Sequence, residues 1–220
     1  MTVESVRPRA VVKAIKSETP TLLSVKLEVP REVALRFERP GQYIVLHPKS
    51  GDKPVFMAIA SLPGDPILEL LVGPAAQEKL QLTQGASIEV DPPQGKGYPI
   101  EMARGKDLVL FAVGSGMSAI RSVLEYVKKN RDDFGHVYLY AGAHSKADHA
   151  YSSDDDAWRS SRMTVRRTNS KPWVQDVFRS DSIAVDGAVA FVCGMKDMVA
   201  AVTEALVSAG MPKENVRQNF

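Results

Sequence analysis

Residues 107–127, DLVLFAVGSGMSAIRSVLEYV, restrict the possible folds of this chain more than any other stretch. Leu108 to Val113 form an unbroken apolar run, as in a strand covered on both faces, and Gly114-Ser115-Gly116 stops it abruptly. Beyond the glycines, Met117, Ile120, Val123 or Leu124, and Val127 return at helical spacing, which gives the order strand, glycine turn, helix. Such a turn sets free backbone N–H groups and the positive end of a helix beside the carboxyl edge of a sheet, where a phosphate or pyrophosphate is favoured. Tight packing alone also uses Gly-x-Gly turns, so on this stretch a nucleotide site and a packing turn stand as even alternatives.

The residues on either side divide the chain into two expected domains, 1–102 and 103–220. In the first, short alternating apolar runs at 10–15, 23–29, 43–46, 55–60, 67–72 and 87–90 are separated by Pro and Gly, the pattern of an antiparallel barrel or sandwich. A helical turn is expected at 77–82, and Asp91-Pro92-Pro93-Gln94-Gly95-Lys96-Gly97 reads as a loop. In the second, strands at 108–113, 137–141, 163–167, 188–193 and near Val216 alternate with helical segments. One segment is expected around 173–178, and another carries Met198, Val199, Val202, Ala205, Leu206 and Ala209 on one face before Gly210 and Pro212 end it. That alternation implies a parallel sheet with helices on both faces. Asp154-Asp155-Asp156 reads as the acidic first turn of a short helix reaching Trp158, with Ser152 or Ser153 as its cap, rather than as a metal site.

Composition closes off other classes. With 28 basic and 26 acidic side chains the net charge is +2, which gives no reason to expect nucleic acid or a membrane surface as partner. No apolar run approaches the ~20 residues that span a bilayer, and the N-terminus lacks the apolar stretch of a secretory signal, so a soluble chain is expected. Cys193 is the single cysteine, which excludes an internal disulfide, a Cys-rich zinc site and a four-cysteine iron–sulfur cluster. His47, His136, His144 and His149 show no metal spacing and read mostly as surface or capping residues.

Several motifs resemble those of the ferredoxin-NADP reductase-like flavin oxidoreductases. Pro40-Gly41-Gln42-Tyr43 is similar to the family's Pro-Gly-Gln-aromatic strand start, Val113 to Ala119 to its Gly-Thr-Gly-Ile-Ala-Pro turn, and Phe191-Val192-Cys193-Gly194 with Met198 to its Val-Cys-Gly-Pro-x-x-Met. Within the superfamily, Phe56 to Ser61 and Gln94 to Tyr98 resemble most a plant and algal branch of small oxidoreductase-like proteins. The resemblance implies a six-stranded Greek-key barrel that binds FAD, followed by an α/β domain with a five-stranded parallel sheet that binds NAD(P)H. It also implies hydride transfer from nicotinamide to flavin and onward to an unidentified acceptor. Gly114, Ser115, Gly116 and the adjoining Met117 would take the pyrophosphate, Cys193 and Gly194 would border the nicotinamide, and Phe220 would cover the flavin ring. The alternatives are plain core for Cys193 and a packing plug or frayed end for Phe220. The branch implies the plastid stroma, with the cytoplasm as the alternative; oligomeric state is left open.

The flavin half departs from the family pattern. Where relatives carry Arg-x-Tyr-Ser-x-x-Ser, this chain has Val55, Met57, Ala58 and Ser61, so the cation, the aromatic and the first hydroxyl are missing. Where relatives offer hydroxyls to the flavin phosphates, it reads Gly73-Pro74-Ala75-Ala76, and proline has no N–H to donate. Backbone groups of Ala58, Ile59 and Ala60 are left to meet the ring edge, and a weakened FAD site is expected, with a non-catalytic nucleotide holder as the first rival reading and the electron-transfer subunit of a larger dehydrogenase as a second, disfavoured because that resemblance demands a cysteine cluster absent here. At the adenosine end His144, Ser145 and Lys146 follow one strand and Arg166, Arg167, Ser170 and Lys171 another, with Trp173 where relatives place an aromatic near adenine. No acid ends either strand, which favours NADPH over NADH.

Overall fold

The computed structural model describes residues 7–219; the Phe220 expectation lies outside the described residues. Residues 9–94 form six strands, β1 (Arg9–Ser17), β2 (Leu23–Glu28), β3 (Tyr43–His47), β4 (Val55–Ala58), β5 (Ile67–Val72) and β6 (Ser87–Gln94). Their order is β4-β3-β6-β1-β2-β5, every pairing is antiparallel, and a bridge from Ile59 to Leu70 brings the two ends of the order together. Alternating residues such as Val25, Leu27, Ile44, Leu46, Leu68 and Leu70 turn inward and fill the barrel. The expected loop at 91–97 is partly strand. Pairing of β6 with β1 stops at Glu89, so Pro92 and Pro93 stand where no ladder on that side needs an N–H.

Two helices decorate this half. The short α1 (Arg31–Ala34) escaped the sequence reading because four residues carry too little periodicity. The turn expected at 77–82 is α2 (Pro74–Leu80), which starts earlier because Pro74 takes the first helical position, where its missing N–H costs nothing.

The second half has a wholly parallel sheet in the order β11-β10-β7-β8-β9, built from β7 (Leu108–Val113), β8 (Val137–Ala143), β9 (Met163–Asn169), β10 (Val189–Cys193) and β11 (Val216–Arg217). The apolar run of β7 is buried on both faces. Leu108, Leu110 and Ala112 join α3 (Met117–Lys129) and α4 (Asp155–Ser160) in one core, while Val109 and Phe111 join α5 (Val174–Asp181) and α6 (Lys196–Ser208) in the other. On α6, Val202, Ala205 and Leu206 are buried, but Ala209 lies past the helix end and is exposed. Neither Ser152 nor Ser153 caps α4: they form a preceding 3₁₀ turn with Asp154, and the acids serve as ion-pair partners instead. Asp154 meets Arg121, and Asp155 meets Arg167.

The two halves share a core. Ala60, Leu71, Tyr98 and Ile100 from the barrel side pack in the same cluster as Leu110, Met117, Ile120 and Phe191. A polar seam runs beside it. Ser118 Oγ donates to the Ala58 carbonyl at 2.8 Å, Ser122 Oγ to the Ser61 carbonyl at 2.7 Å, and Arg121 to the Ala60 carbonyl at 3.1 Å. Arg121 also pairs with Glu69 at 3.4 Å and Asp154 at 2.9 Å, and Ser24 donates to Glu69 at 2.7 Å. The side chains of Arg121 and Glu69 are only 16% and 11% exposed. Replacing Arg121 with Ala therefore leaves two carboxylates without their cation and is expected to cost roughly 3–5 kcal/mol in urea unfolding. Arg159→Ala, at a pair with a 49% exposed guanidinium, is expected to cost less than about 1 kcal/mol.

Candidate functional site

The glycine turn is a single 3₁₀ turn, Gly114–Gly116, leading from β7 into α3. Gly114 has φ +57°, a left-handed backbone that disfavours a side chain. Gly116 is required by contact: a Cβ there would stand 2.5 Å from the carbonyl oxygen of Cys193. The turn thus rests directly on the end of β10. No side chain caps the N-terminus of α3, and Gly114 and Ser115 are exposed, so the positive helix end faces solvent. Met117 differs from the other turn residues, being 2% exposed and packed in the shared core, where it positions the turn from behind.

Cys193 and Gly194 lie beside that turn. The Cys193 thiol is partly buried against the shared core, and burial pushes its pKa up to about 11, with the Tyr98 hydroxyl pulling weakly the other way. Tyr98 is fully buried, stacks on Phe191 with centroids 4.6 Å apart, and donates its hydroxyl to the Val192 carbonyl at 3.1 Å. It is the pillar on which the end of β10 sits, and the sequence reading missed that role. Next to it, the Asn219 amide donates to the Gly41 carbonyl at 3.1 Å, and Asn219 is 2% exposed.

The adenosine edge is corrected in part. Arg167 is not free for a phosphate: its Nε and Nη2 embrace both oxygens of Asp155 at 2.7–3.0 Å, and it also meets the Ala150 and Tyr151 carbonyls. Arg166 donates to Asp181 at 3.0 Å, although half of its side chain stays exposed. Ser170, at φ +58°, donates to the His144 carbonyl and ties the ends of β8 and β9 together. What faces solvent there is His144, Lys146, Lys171 and a half-exposed Trp173. Among the described residues, neither Lys146 nor Lys171 has an ion-pair or hydrogen-bond partner. His149 is buried rather than superficial, with its Nε2 against Asn169 at 2.8 Å. Among the described residues no cluster of His, Cys, Asp and Glu has the makings of a metal site.

On the barrel, pairing of β3 with β4 sets Met57 opposite Ile44 and Val55 opposite Leu46. Opposed residues share a face, so Met57 and Val55 turn toward the barrel core, against which both pack. The outward residues are Phe56, 65% exposed, and Ala58. The backbone expected to meet a ring edge is largely engaged. The Ile59 N–H donates to the Gln42 carbonyl, the Ala60 N–H to the Glu69 carbonyl, and the Ala58 and Ala60 carbonyls accept from α3. Ser61 accepts the Glu69 N–H at 3.1 Å and is buried, a structural hinge between β4 and β5. Gly73 is the N-cap of α2, and its carbonyl takes the N–H groups of Ala76 and Gln77. Polar residues 118, 121 and 122, set at helical spacing among the apolar residues of the first half of α3, carried a sequence signal for this docking that the glycine motif overshadowed.

The whole chain has counterparts among known proteins. It is similar to the sulfhydrogenase 1 gamma subunit of Pyrococcus furiosus, 27% identical over 218 residues that take in 91% of this chain and 74% of the relative. The sulfhydrogenase 2 gamma subunit of the same organism is 25% identical over 199 residues, 79% of this chain and 68% of the relative. Among solved structures, a cytochrome P450 reductase of Amycolatopsis superposes with TM-score 0.85 at 19% identity, covering 97% of this chain and 69% of that one. Ferredoxin-NADP+ reductase of Plasmodium falciparum gives TM-score 0.79 at 14% identity, covering 96% and 95%. By fold, this chain is similar to these reductases over nearly its whole length. Within it, residues 110–204 match the oxidoreductase NAD-binding domain family. These likenesses do not bear on the plant and algal branch.

Because burial disfavours the thiolate, Cys193 is neutral across the physiological range, and its alkylation by iodoacetamide should rise about tenfold per pH unit from 7 to 9 without a plateau. A plateau below pH 9 would show an activated thiol instead. Gly116→Ala should displace the turn from β10 and weaken nicotinamide-nucleotide binding, measured by calorimetry, by at least about tenfold.

Proposed function

We propose that this chain is an NAD(P)H-dependent oxidoreductase. The nucleotide lies along the carboxyl edge of the parallel sheet, with its pyrophosphate at Gly114, Ser115 and Gly116 and its nicotinamide beside Cys193 and Gly194. The observation that carries this reading is that the first turn of α3 touches both partners: Gly116 rests on the Cys193 carbonyl, and Ser118 holds the Ala58 carbonyl at 2.8 Å. Nucleotide turn, nicotinamide border and flavin-binding strand therefore meet at one place. A flavin, when bound on the barrel, supplies a ring that accepts hydride from the nicotinamide and passes the electrons to an acceptor. The chain's own contribution is position: uncapped N–H groups for the phosphates, a small border at Gly194, and a neutral Cys193 that takes no proton from the reaction. Lys146 and Lys171 support NADPH over NADH, in place of Arg167. The sulfhydrogenase gamma subunits are by name parts of larger enzymes, which supports a protein partner as electron acceptor.

One observation favours a second reading, a nucleotide holder without a flavin: the inward turn of Val55 and Met57 and the occupied backbone of Ala58 to Ala60. Purified protein supplemented with FAD separates the two. The oxidoreductase takes up flavin and reduces an artificial dye from NADPH, with kcat/KM at least about tenfold above that with NADH. In the Lys146→Ala, Lys171→Ala double variant that preference should shrink. NADPH binding without flavin uptake or dye reduction would establish the holder.

A further inference from the structure

The barrel face next to the nucleotide turn offers something to a planar ring and little to an adenylate. β4 turns Phe56 outward, two residues before Ala58, whose carbonyl is held by Ser118 at the start of α3. Residues two apart on one face of a strand are ~7 Å apart, so Phe56 stands about one ring's length from that junction. The Tyr43 ring, 5.7 Å away and tilted by 57°, backs Phe56 from β3. One exposed phenylalanine is ordinary on a protein surface; this one stands on the strand that carries the flavin motif in the resembling family, one position from the aromatic it lacks.

The groups that would hold the rest of a dinucleotide are absent at the expected places. Val55 replaces the arginine and turns into the barrel core. At the turn before α2, Pro74 has no N–H, Ala75 and Ala76 have no hydroxyl, the first turn carries no charged residue, and the Ala76 and Gln77 N–H groups are taken by Gly73. A pyrophosphate there would lose its water without gaining a cation or a hydroxyl.

We infer that the barrel holds flavin by its ring, against Phe56, and not by the adenylate half, so that FAD, FMN and riboflavin bind about equally. This rests on the flavin reading above. Equilibrium ultrafiltration of the full chain with each flavin, read by flavin fluorescence, tests it. The three dissociation constants should agree within about threefold, and Phe56→Ala should weaken all three by at least about tenfold, with Phe56→Trp restoring them. Thermal unfolding of Phe56→Ala should match the unsubstituted chain, because the side chain is exposed. FAD binding more than about thirtyfold tighter than riboflavin, or unchanged affinities in Phe56→Ala, would overturn the ring-held site and leave the flavin reading standing. Uptake of none of the three by the unsubstituted chain would overturn both.

Discussion

The Arg121 guanidinium, largely withdrawn from solvent between Glu69 of the barrel and Asp154 of the α/β half, is the interaction on which the rest of this structure depends. A buried cation is tolerable only when its donors are met, and here a barrel carbonyl and two carboxylates meet them. Because Arg121 lies on the helix that follows the glycine turn, satisfying it also fixes where that turn stands relative to β4 and the residues just after it. Stability and site geometry are thus consequences of one buried charge. The serines on either side, Ser118 and Ser122, add direction: one hydroxyl meets the carbonyl of Ala58 at the end of β4 and the other that of Ser61 just beyond it. A seam of apolar contacts alone would allow sliding along the strand.

The glycine turn combines close packing with exposure, two demands that usually compete. Gly116 serves packing, since the Cys193 carbonyl leaves no room for a side chain, while Gly114 and Ser115 remain open to solvent. Of the alternatives posed by the sequence, the tight packing turn is met at Gly116, while the exposure of Gly114 and Ser115 leaves room for a nucleotide. Motifs of the resembling family divide similarly. In Pro40-Gly41-Gln42-Tyr43, Gln42 accepts the N–H groups of Glu38 and Arg39 and donates to the Gly95 carbonyl, a brace for the loop that no ligand needs to touch.

Much of the architecture was legible because it rests on periodicity: of the eleven strands among the described residues, all but the two-residue β11 fall where alternating or continuous apolar runs stand in the sequence. The ends were less legible, as with β6 running through Pro92 and Pro93, since pairing on only one side is a property of the sheet and not of the residues. At the site, glycines announce themselves, whereas a charged residue does not declare its partner. Arg167 looked like a phosphate ligand and proved to be a clasp on Asp155, forty-six positions beyond the Arg121 that also depends on that acidic turn. The direction of Met57 and Phe56 was illegible for a related reason: a shift of one residue reverses every side chain on a strand, and only the register with β3 decides it.

The hydrogen bond from Asn219 to Gly41 joins residues 178 positions apart, and so brings the far end of the described chain to the rim of the barrel. Asn219 is held there beside Tyr98. The chain's last described side chain also acts as a gauge of assembly, because its amide meets the Gly41 carbonyl only while the two halves are joined.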